Sequence, residues 1–228
     1  MKRALIVGAS RGLGLGLANE HLARGWRVTA TVRTASPDLE ALAAKHSGGL
    51  EIVKGIDINH PGDVAELKSR IPGGAFDLLF LNAGIMKGRG VALSEVPDAD
   101  INAIFMTNAI SPVRAADALI DRVARGGMVA FMSSILGSIG TNEDGRAELY
   151  RASKAALNSL IRSFRARHAS TEISVLAVHP GVVRTAMGGA AAPLDIETSV
   201  RGVADVIAAR WGKGGQAFVD YKNEIVPW

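Results

Sequence analysis

Tyr150-Arg151-Ala152-Ser153-Lys154 places a phenol and an ammonium four residues apart, a spacing that puts both on one face of a helix. A free phenol, with a pKa of about 10, is a poor acid or base at neutral pH. A nearby ammonium favours the phenolate, so such a pair can give a proton to a developing alkoxide or take one from an alcohol. The spacing alone arises often by chance, and its weight comes from its surroundings. Met128–Met132 reads as a buried strand that ends in Ser133-Ser134. In an open α/β sheet, a hydroxyl at the carboxyl end of a strand faces the crevice where ligands bind. Ser134 can donate to a substrate carbonyl there, with Ser133 as the alternative. Asn82-Ala83-Gly84 and His179-Pro180-Gly181 follow two other strands in the same manner, and Gly84 leaves room for a ligand.

Gly8-Ala9-Ser10-Arg11-Gly12-Leu13-Gly14 joins a first apolar strand to an amphipathic helix. Gly8 permits a tight turn, Gly12 has no side chain to hold a pyrophosphate off the backbone, and Gly14 lets the helix approach the sheet. The helix start then offers free N–H groups and the positive end of its dipole to phosphates. This context is the one a dinucleotide site requires. A site that selects NAD carries a carboxylate at the end of the second strand. Here that position reads Val32-Arg33-Thr34, and the nearest acid is Asp38, already in the next helix. Arg33, with Arg11 as a second cation, suits a 2′-phosphate. The reading is NADP(H) in preference to NAD(H); the alternative is that both are ordinary surface arginines.

The elements that must position these groups follow from periodicity. Strands are expected at Arg3–Val7, Arg27–Val32, Leu50–Gly55, Phe76–Leu81, Met128–Met132, Ile173–Val178 and Ala217–Val219. Helices are expected at Leu13–Ala23, closed by Gly25; Pro37–His46, capped by Ser36; Pro61–Ile71; Asp98–Val123, with a break near Ser111-Pro112; Leu149–His168; and Ile196–Arg210. Strands alternating with helices imply a parallel sheet covered on both faces by right-handed crossovers. With no repeat, linker or low-complexity stretch, residues 1–228 read as a single domain.

Composition narrows the function further. Of the 228 residues, 48% are hydrophobic but only 5% aromatic, so the core must be mostly aliphatic. The net charge of +4 comes from scattered residues, without the clustering that nucleic-acid binding needs. The absence of cysteine excludes disulfides, Cys-ligated metals and Cys nucleophiles. His21, His46, His60, His168 and His179 contain no i, i+4 pair beside an acid, so no metal is expected. No apolar run reaches the roughly 18 residues that span a bilayer, and the first residues are too short and too soon charged for a signal peptide. The default is a soluble, cytoplasmic protein with no membrane partner. Trp26, Trp211 and Trp228 read as packing residues. Gly188–Ala192 reads as a mobile flap or a plain surface loop.

Taken together, Gly8-x-x-x-Gly12-x-Gly14, Asn82-Ala83-Gly84, Ser134, Tyr150-x-x-x-Lys154 and Pro180-Gly181 occur in the order seen in short-chain dehydrogenases/reductases. The chain resembles that family over nearly its whole length. Tyr150–Asn158, His179–Gly189 and Phe218–Trp228 are similar to the C-factor and sniffer-type carbonyl reductase branch. The resemblance implies a Rossmann-type doubly wound sheet of about seven strands, in the order 3-2-1-4-5-6-7. It also implies hydride transfer between NADPH and a small-molecule carbonyl or alcohol. Tyr150 would be the general acid/base, Lys154 would lower its pKa and bind the nicotinamide ribose, and Ser134 would polarise the carbonyl. Asn108 would hold a water linking Lys154 to solvent. Around the cofactor would lie Gly8, Ser10, Arg11, Gly12, Leu13, Gly14, Arg33, Asp57, Ile58, Asn82, Ala83, Gly84, Tyr150, Lys154, Pro180, Gly181, Val183 and Thr185. Family spacing favours Ser134 over Ser133. Leu81 replaces the family's first asparagine, and the longer Thr141–Glu148 stretch is expected as a loop at the mouth of the site. Helices at Ile101–Val123 and Ala152–Phe164 would make a homodimer or homotetramer. The C-factor likeness also admits a dinucleotide-binding signalling factor with little turnover. An epimerase or dehydratase on the same fold is a third reading.

Overall fold

The computed structural model describes residues 1–228 as one seven-stranded sheet, entirely parallel, in the order β3-β2-β1-β4-β5-β6-β7. The strands are β1 (Arg3–Val7), β2 (Arg27–Val32), β3 (Leu50–Lys54), β4 (Phe76–Leu81), β5 (Val123–Met132), β6 (Ser174–His179) and β7 (Gln216–Asp220). The helices are α1 (Gly12–Ala23), α2 (Pro37–Lys45), α3 (Pro61–Arg70), α4 (Asp98–Phe105), α5 (Ser111–Leu119), α6 (Glu148–Arg167) and α7 (Ile196–Arg210). This is the expected doubly wound order. Side chains alternate along each strand. In β1, Leu5 and Val7 therefore join the core under α3, α5 and α6, while Ala4 and Ile6 join the core under α1, α2 and α7. Both faces of the sheet are buried, which is why the strands read as continuous apolar runs. No helix is long and apolar enough to cross a membrane.

Two expectations about elements are corrected. The helical segment expected over Asp98–Val123 ends before Val123, and its break or bend near Ser111-Pro112 takes a specific form. A wide, π-type turn at Met106–Ile110 separates α4 from α5, and a 3₁₀ turn at Ile120–Arg122 ends the segment. In a regular helix the Pro112 ring would strike the carbonyl of Asn108. The widened turn stands one residue ahead of Ser111, and Pro112 sits in the first turn of α5, where a missing N–H costs little. The fifth strand begins at Val123, not Met128, because its ladder is interrupted. Phe76 pairs with Val123 and Leu78 with Met128, and the bulge between holds Gly126 at φ +73° and Gly127 against the Asp77 carbonyl. Two adjacent glycines hid this strand start from a reading based on apolar periodicity.

Candidate active site

The strand ends of β1, β4, β5 and β6 assemble one crevice. At β1, Gly8 turns at φ +88°, and a Cβ there would lie 3.0 Å from the Ala83 backbone nitrogen. A Cβ on Gly14 would collide with the Gly8 carbonyl, so helix and turn touch backbone to backbone. Asn82 fastens this packing, its Nδ2 donating to the Gly8 carbonyl at 2.7 Å. The Ser36 hydroxyl donates to the Ser10 carbonyl at 2.6 Å and accepts from Leu39 N at 3.4 Å, capping α2 as expected. Gly12, at φ +56°, has only Thr185 Cγ2 within reach of a notional Cβ, at 3.8 Å. Arg11 precedes α1 in extended conformation, no side chain caps the helix, and its first turn holds no acid. The N–H groups and positive dipole end at Gly12–Gly14 are therefore available to an anion. Leu13 packs on the core behind them.

Beside this cradle, the Arg33 side chain is 67% exposed, with Nη1 3.7 Å from Asp57 Oδ2. Asp57 is itself tied into its turn, accepting from Asn59 N at 2.9 Å and donating its own N–H to Asp63 at 3.0 Å. Ile58 is buried in the core, so only its backbone is open to a ligand.

Tyr150 and Lys154 lie on the inward face of α6, both nearly enclosed. The Tyr150 hydroxyl has the Ser134 side chain beside it. Ser134 Oγ also accepts from Leu136 N at 3.2 Å, starting a short 3₁₀ turn over Ile135–Gly137. Ser133 points elsewhere, its hydroxyl donating to Asn158 Oδ1 at 2.6 Å. Between the two serines, Ser134 is therefore the one presented to Tyr150. Lys154 Nζ donates to the Met132 carbonyl at 2.9 Å and stands 5.9 Å from the centre of the Tyr150 ring. The expected lowering of the phenol pKa is not found in this arrangement. Burial pushes Tyr150 up to about 12, only partly opposed by Ser134 beside it, and burial pushes Lys154 down to about 8. Desolvation disfavours both charged forms and here outweighs any attraction of the ammonium for the phenolate.

Asn108 has no exposed surface. Its Oδ1 accepts from Ile85 N at 2.8 Å, and its Nδ2 donates to the Ile85 carbonyl at 2.9 Å and to Ser153 Oγ at 3.1 Å. The side chain thus pins the segment leaving β4. Gly84 lies between these groups: a Cβ there would be 3.5 Å from Asn108 Oδ1 and 3.7 Å from Lys154 Nζ. At β6, the Pro180 carbonyl accepts from Ser199 Oγ at 2.6 Å. Gly181 is required for packing, since a Cβ would strike Leu194 and Tyr221. Val183 is buried and bridges to Leu194, while Thr185 Oγ1 accepts from Gly188 N at 3.0 Å. The Gly188–Ala192 stretch is stapled by Arg184, whose Nη1 donates to the carbonyls of Ala192 and Pro193 at 3.0 and 2.9 Å.

Several positioning residues carried no role in the sequence reading. Ser153 donates to the Tyr150 carbonyl at 2.8 Å. Asn158 Nδ2 donates to the Gly137 carbonyl at 3.1 Å. Gly137 has no room for a side chain against the Lys154 backbone. Arg151 is buried, with Nε donating to the Arg146 carbonyl and Nη2 to Asp144, both at 2.7 Å. A signal existed for two of these: Ser153 and Asn158 share the face of Tyr150 and Lys154 on a helix whose other inward positions, Arg151 apart, are apolar. An open groove of about 560 Å³ lies at the opposite, amino edge of the sheet, along Arg162, Arg165 and Gln216. The groups just described are remote from it.

This constellation of strand-end serine, helical tyrosine and lysine, and glycine cradle belongs to a defined class. The short chain dehydrogenase family pattern matches residues 2–193, and the chain is a member of the short-chain dehydrogenase/reductase family, an NAD(P)-dependent oxidoreductase. Within it, the chain is 38% identical to the C-signal of Myxococcus xanthus over 157 residues, covering 68% of this chain and 94% of that protein. Over its full length it is similar to the crystal structure of a carbonyl reductase from Pseudomonas aeruginosa PAO1 in complex with NADP (43% identity, TM-score 0.92, all of both chains). It is also similar to the carbonyl reductase Sniffer of D. melanogaster (30% identity, TM-score 0.86, all of both chains). These likenesses place it in the C-factor and sniffer-like branch.

Proposed function

We propose that this protein interconverts a carbonyl compound and its alcohol with NADP(H) as redox partner. The observation that carries the reading is the buried Tyr150 phenol beside Ser134 at the end of β5, with the Lys154 amine on the same helix face. When bound, the dinucleotide supplies or accepts the hydride. Residues Gly8 to Gly14 fit its pyrophosphate: the N–H groups at the start of α1 are uncapped, and the space over Gly12 is open. Arg33 and Arg11, at a strand end without a carboxylate of the NAD-selecting kind, support a preference for the 2′-phosphate. The resemblance to NADP-bound carbonyl reductase supports the same choice.

Ser134 donates to the substrate oxygen and Tyr150 gives it a proton in the reduction direction. A phenol held at about 12 stays protonated near neutral pH, which suits a donor to an alkoxide. Removing a proton from an alcohol is harder for it and requires the charge of Lys154, which is being lost above about pH 8. At neutral pH the phenol thus stands in the protonation state that reduction uses. Asn108 and Ser153 act through others, holding the Ile85 segment and the Tyr150 turn. In Tyr150→Phe, NADPH binding measured by fluorescence titration should be nearly unchanged, while turnover falls by at least about 10²-fold. Equal turnover in that variant would remove the mechanism.

The identity with C-signal favours one other reading, a dinucleotide-binding signalling factor with little turnover. NADPH oxidation against aldehydes and ketones separates the two, since tight NADPH binding with no turnover belongs to the signalling reading. Self-association through α5 and α6 into a dimer or tetramer is part of the same proposal. Light scattering that shows a stable monomer at micromolar concentration would refute it.

A further inference from the structure

Ser134 stands where the chain leaves the sheet. The bonds to β6 end with the Ser133 N–H, which donates to the Val178 carbonyl at 2.9 Å, and the 3₁₀ turn Ile135–Gly137 follows. The turn closes on itself through Gly137 N to the Ser134 carbonyl at 2.8 Å and Leu136 N to Ser134 Oγ at 3.2 Å. Those bonds are local. They shape the turn without fixing where it lies relative to α6, and α6 carries Tyr150. Two groups that act on one substrate oxygen need a fixed separation, so something must join the turn to the helix.

Asn158 makes that join. Tyr150, Lys154 and Asn158 follow one another at four-residue steps along the inward face of α6. Asn158 is buried, its Oδ1 accepting from Ser133 Oγ at 2.6 Å and its Nδ2 donating to the Gly137 carbonyl at 3.1 Å. One planar amide therefore holds the residue before Ser134 and the residue that closes the turn after it. The turn lies directly on the helix, since a Cβ on Gly137 would come within 2.8 Å of the Lys154 carbonyl. The two bonds run in opposite senses, and an amide supplies both a donor and an acceptor. Leucine, of similar size, supplies neither. Lys154 adds a tie from Nζ to the Met132 carbonyl at 2.9 Å, but on a flexible four-carbon stem.

We infer that Asn158 is a positioning residue for the reaction: by gripping both flanks of Ser134 it holds that hydroxyl beside the Tyr150 phenol, and it sets turnover without touching substrate or cofactor. The inference rests on the carbonyl-reducing reading above, in which Ser134 and Tyr150 meet the same substrate oxygen. Losing the grip leaves the Ser133 hydroxyl and the Gly137 carbonyl without their buried partner, and the turn shifts to satisfy them.

The test is a double-mutant cycle in the full chain, assayed below each variant's melting temperature. Asn158→Leu should lower kcat about 10²-fold, with NADPH binding by fluorescence titration left near wild type because the glycine cradle is untouched. Ser134→Ala should lose at least about 10²-fold. The double variant should be about as slow as Ser134→Ala alone, since a grip on an absent hydroxyl has nothing left to hold. Independent losses would multiply to about 10⁴-fold, and that result overturns the inference. Ser133→Ala severs one hold only; it should lose less, with the same dependence on Ser134, and serves where Asn158→Leu does not fold. A second readout needs no turnover. The chain has two tyrosines, so 3-fluorotyrosine labelling in a Tyr221→Phe background gives one fluorine NMR signal, from Tyr150. Asn158→Leu should displace that signal as Ser134→Ala does. A signal that Asn158→Leu leaves in place, or that Ser134→Ala leaves in place, overturns the inference. If the wild-type protein reduces no aldehyde or ketone, the reading of the reaction fails and the fluorine signal alone decides: a shared displacement upholds the grip, and none removes it.

Discussion

At the scale of single residues, burial sets the chemistry of the tyrosine and lysine pair. Lys154 is held at about 8 in the folded protein, against about 10.5 for a free lysine. Between those pH values the unfolded chain binds the proton that the native protein has released, so stability rises with pH. The shift corresponds to a gain of roughly 3 kcal/mol across that window. Tyr150 acts in the opposite sense. Its phenol is held at about 12, so from about pH 10 to 12 the native state keeps a proton that the unfolded chain gives up, and stability falls. Denaturant titrations at pH 8, 10 and 12 should show a maximum near 10, and Lys154→Met should abolish the rise while keeping the fall. A flat wild-type profile would mean that neither group is as enclosed as it stands here. Gly14 makes a second prediction at this scale. A methyl group there would force α1 away from the Gly8 carbonyl and from Asn82. Gly14→Ala should lower stability by about 1–3 kcal/mol in thermal unfolding and weaken NADPH binding at least tenfold; Gly16→Ala, which meets only side chains, should do neither to that degree.

At the scale of elements, the loop before α6 ties both arms of the site together. Thr141 Oγ1 lies 3.3 Å from the Ile135 carbonyl, on the turn that begins at Ser134. Asp144 is held by Arg146 and by Arg151, the residue after Tyr150. The Arg146 hydrogen bonds foremost, with Arg151 adding to them, keep its carboxyl down at about 2. Ala147 takes the left-handed conformation at φ 56°, which costs a non-glycine residue about a kcal/mol and fixes the chain's approach to α6. The two partners of the Arg151–Asp144 pair should not be equivalent. Removing Arg151 leaves a carboxylate that water and Arg146 can satisfy. Removing Asp144 leaves a guanidinium buried against α6 with Nη1 already unpartnered. Asp144→Ala should therefore lower the midpoint of chemical denaturation more than Arg151→Met does. Equal losses would place the guanidinium in water rather than under the loop.

At the scale of the whole molecule, a parallel sheet has two edges to protect, and this chain covers one with its own last residues. After β7, Asp220 N donates to the Glu224 carbonyl and Val226 N to the Phe218 carbonyl, both at 2.9 Å, so the chain folds back antiparallel along the strand. Trp228 then settles against Phe218, their rings 5.4 Å apart, with the Arg162 guanidinium 5.3 Å from the indole. A protein ending at Tyr221 would bare the β7 edge and the Phe218 face together. It should unfold several degrees lower and aggregate with rising concentration in light scattering. An unchanged melting temperature and a clean monodisperse profile would show that the tail protects nothing.

The sequence by itself determined what depends on neighbours along the chain. The glycine turn, the four-residue spacing of Tyr150 and Lys154, the Ser36 cap and the alternation of strand and helix are local codes, written in backbone freedom and in periods of two and 3.6 residues. They were enough for a parallel sheet covered on both faces, while the strand order followed from the resemblance to the short-chain dehydrogenase/reductase family. Tertiary structure alone decided what passes between distant segments. Ser133 turns to Asn158, 25 residues on, and Asn108 to Ile85, 23 residues back. Gly126 and Gly127 continue a strand because Asp77 lies beside them. The proton affinities of Tyr150 and Lys154 follow from how completely the walls exclude water. Spacing shows which groups share a helix face; it carries no measure of the dielectric that face will meet, because every wall around it comes from elsewhere in the chain.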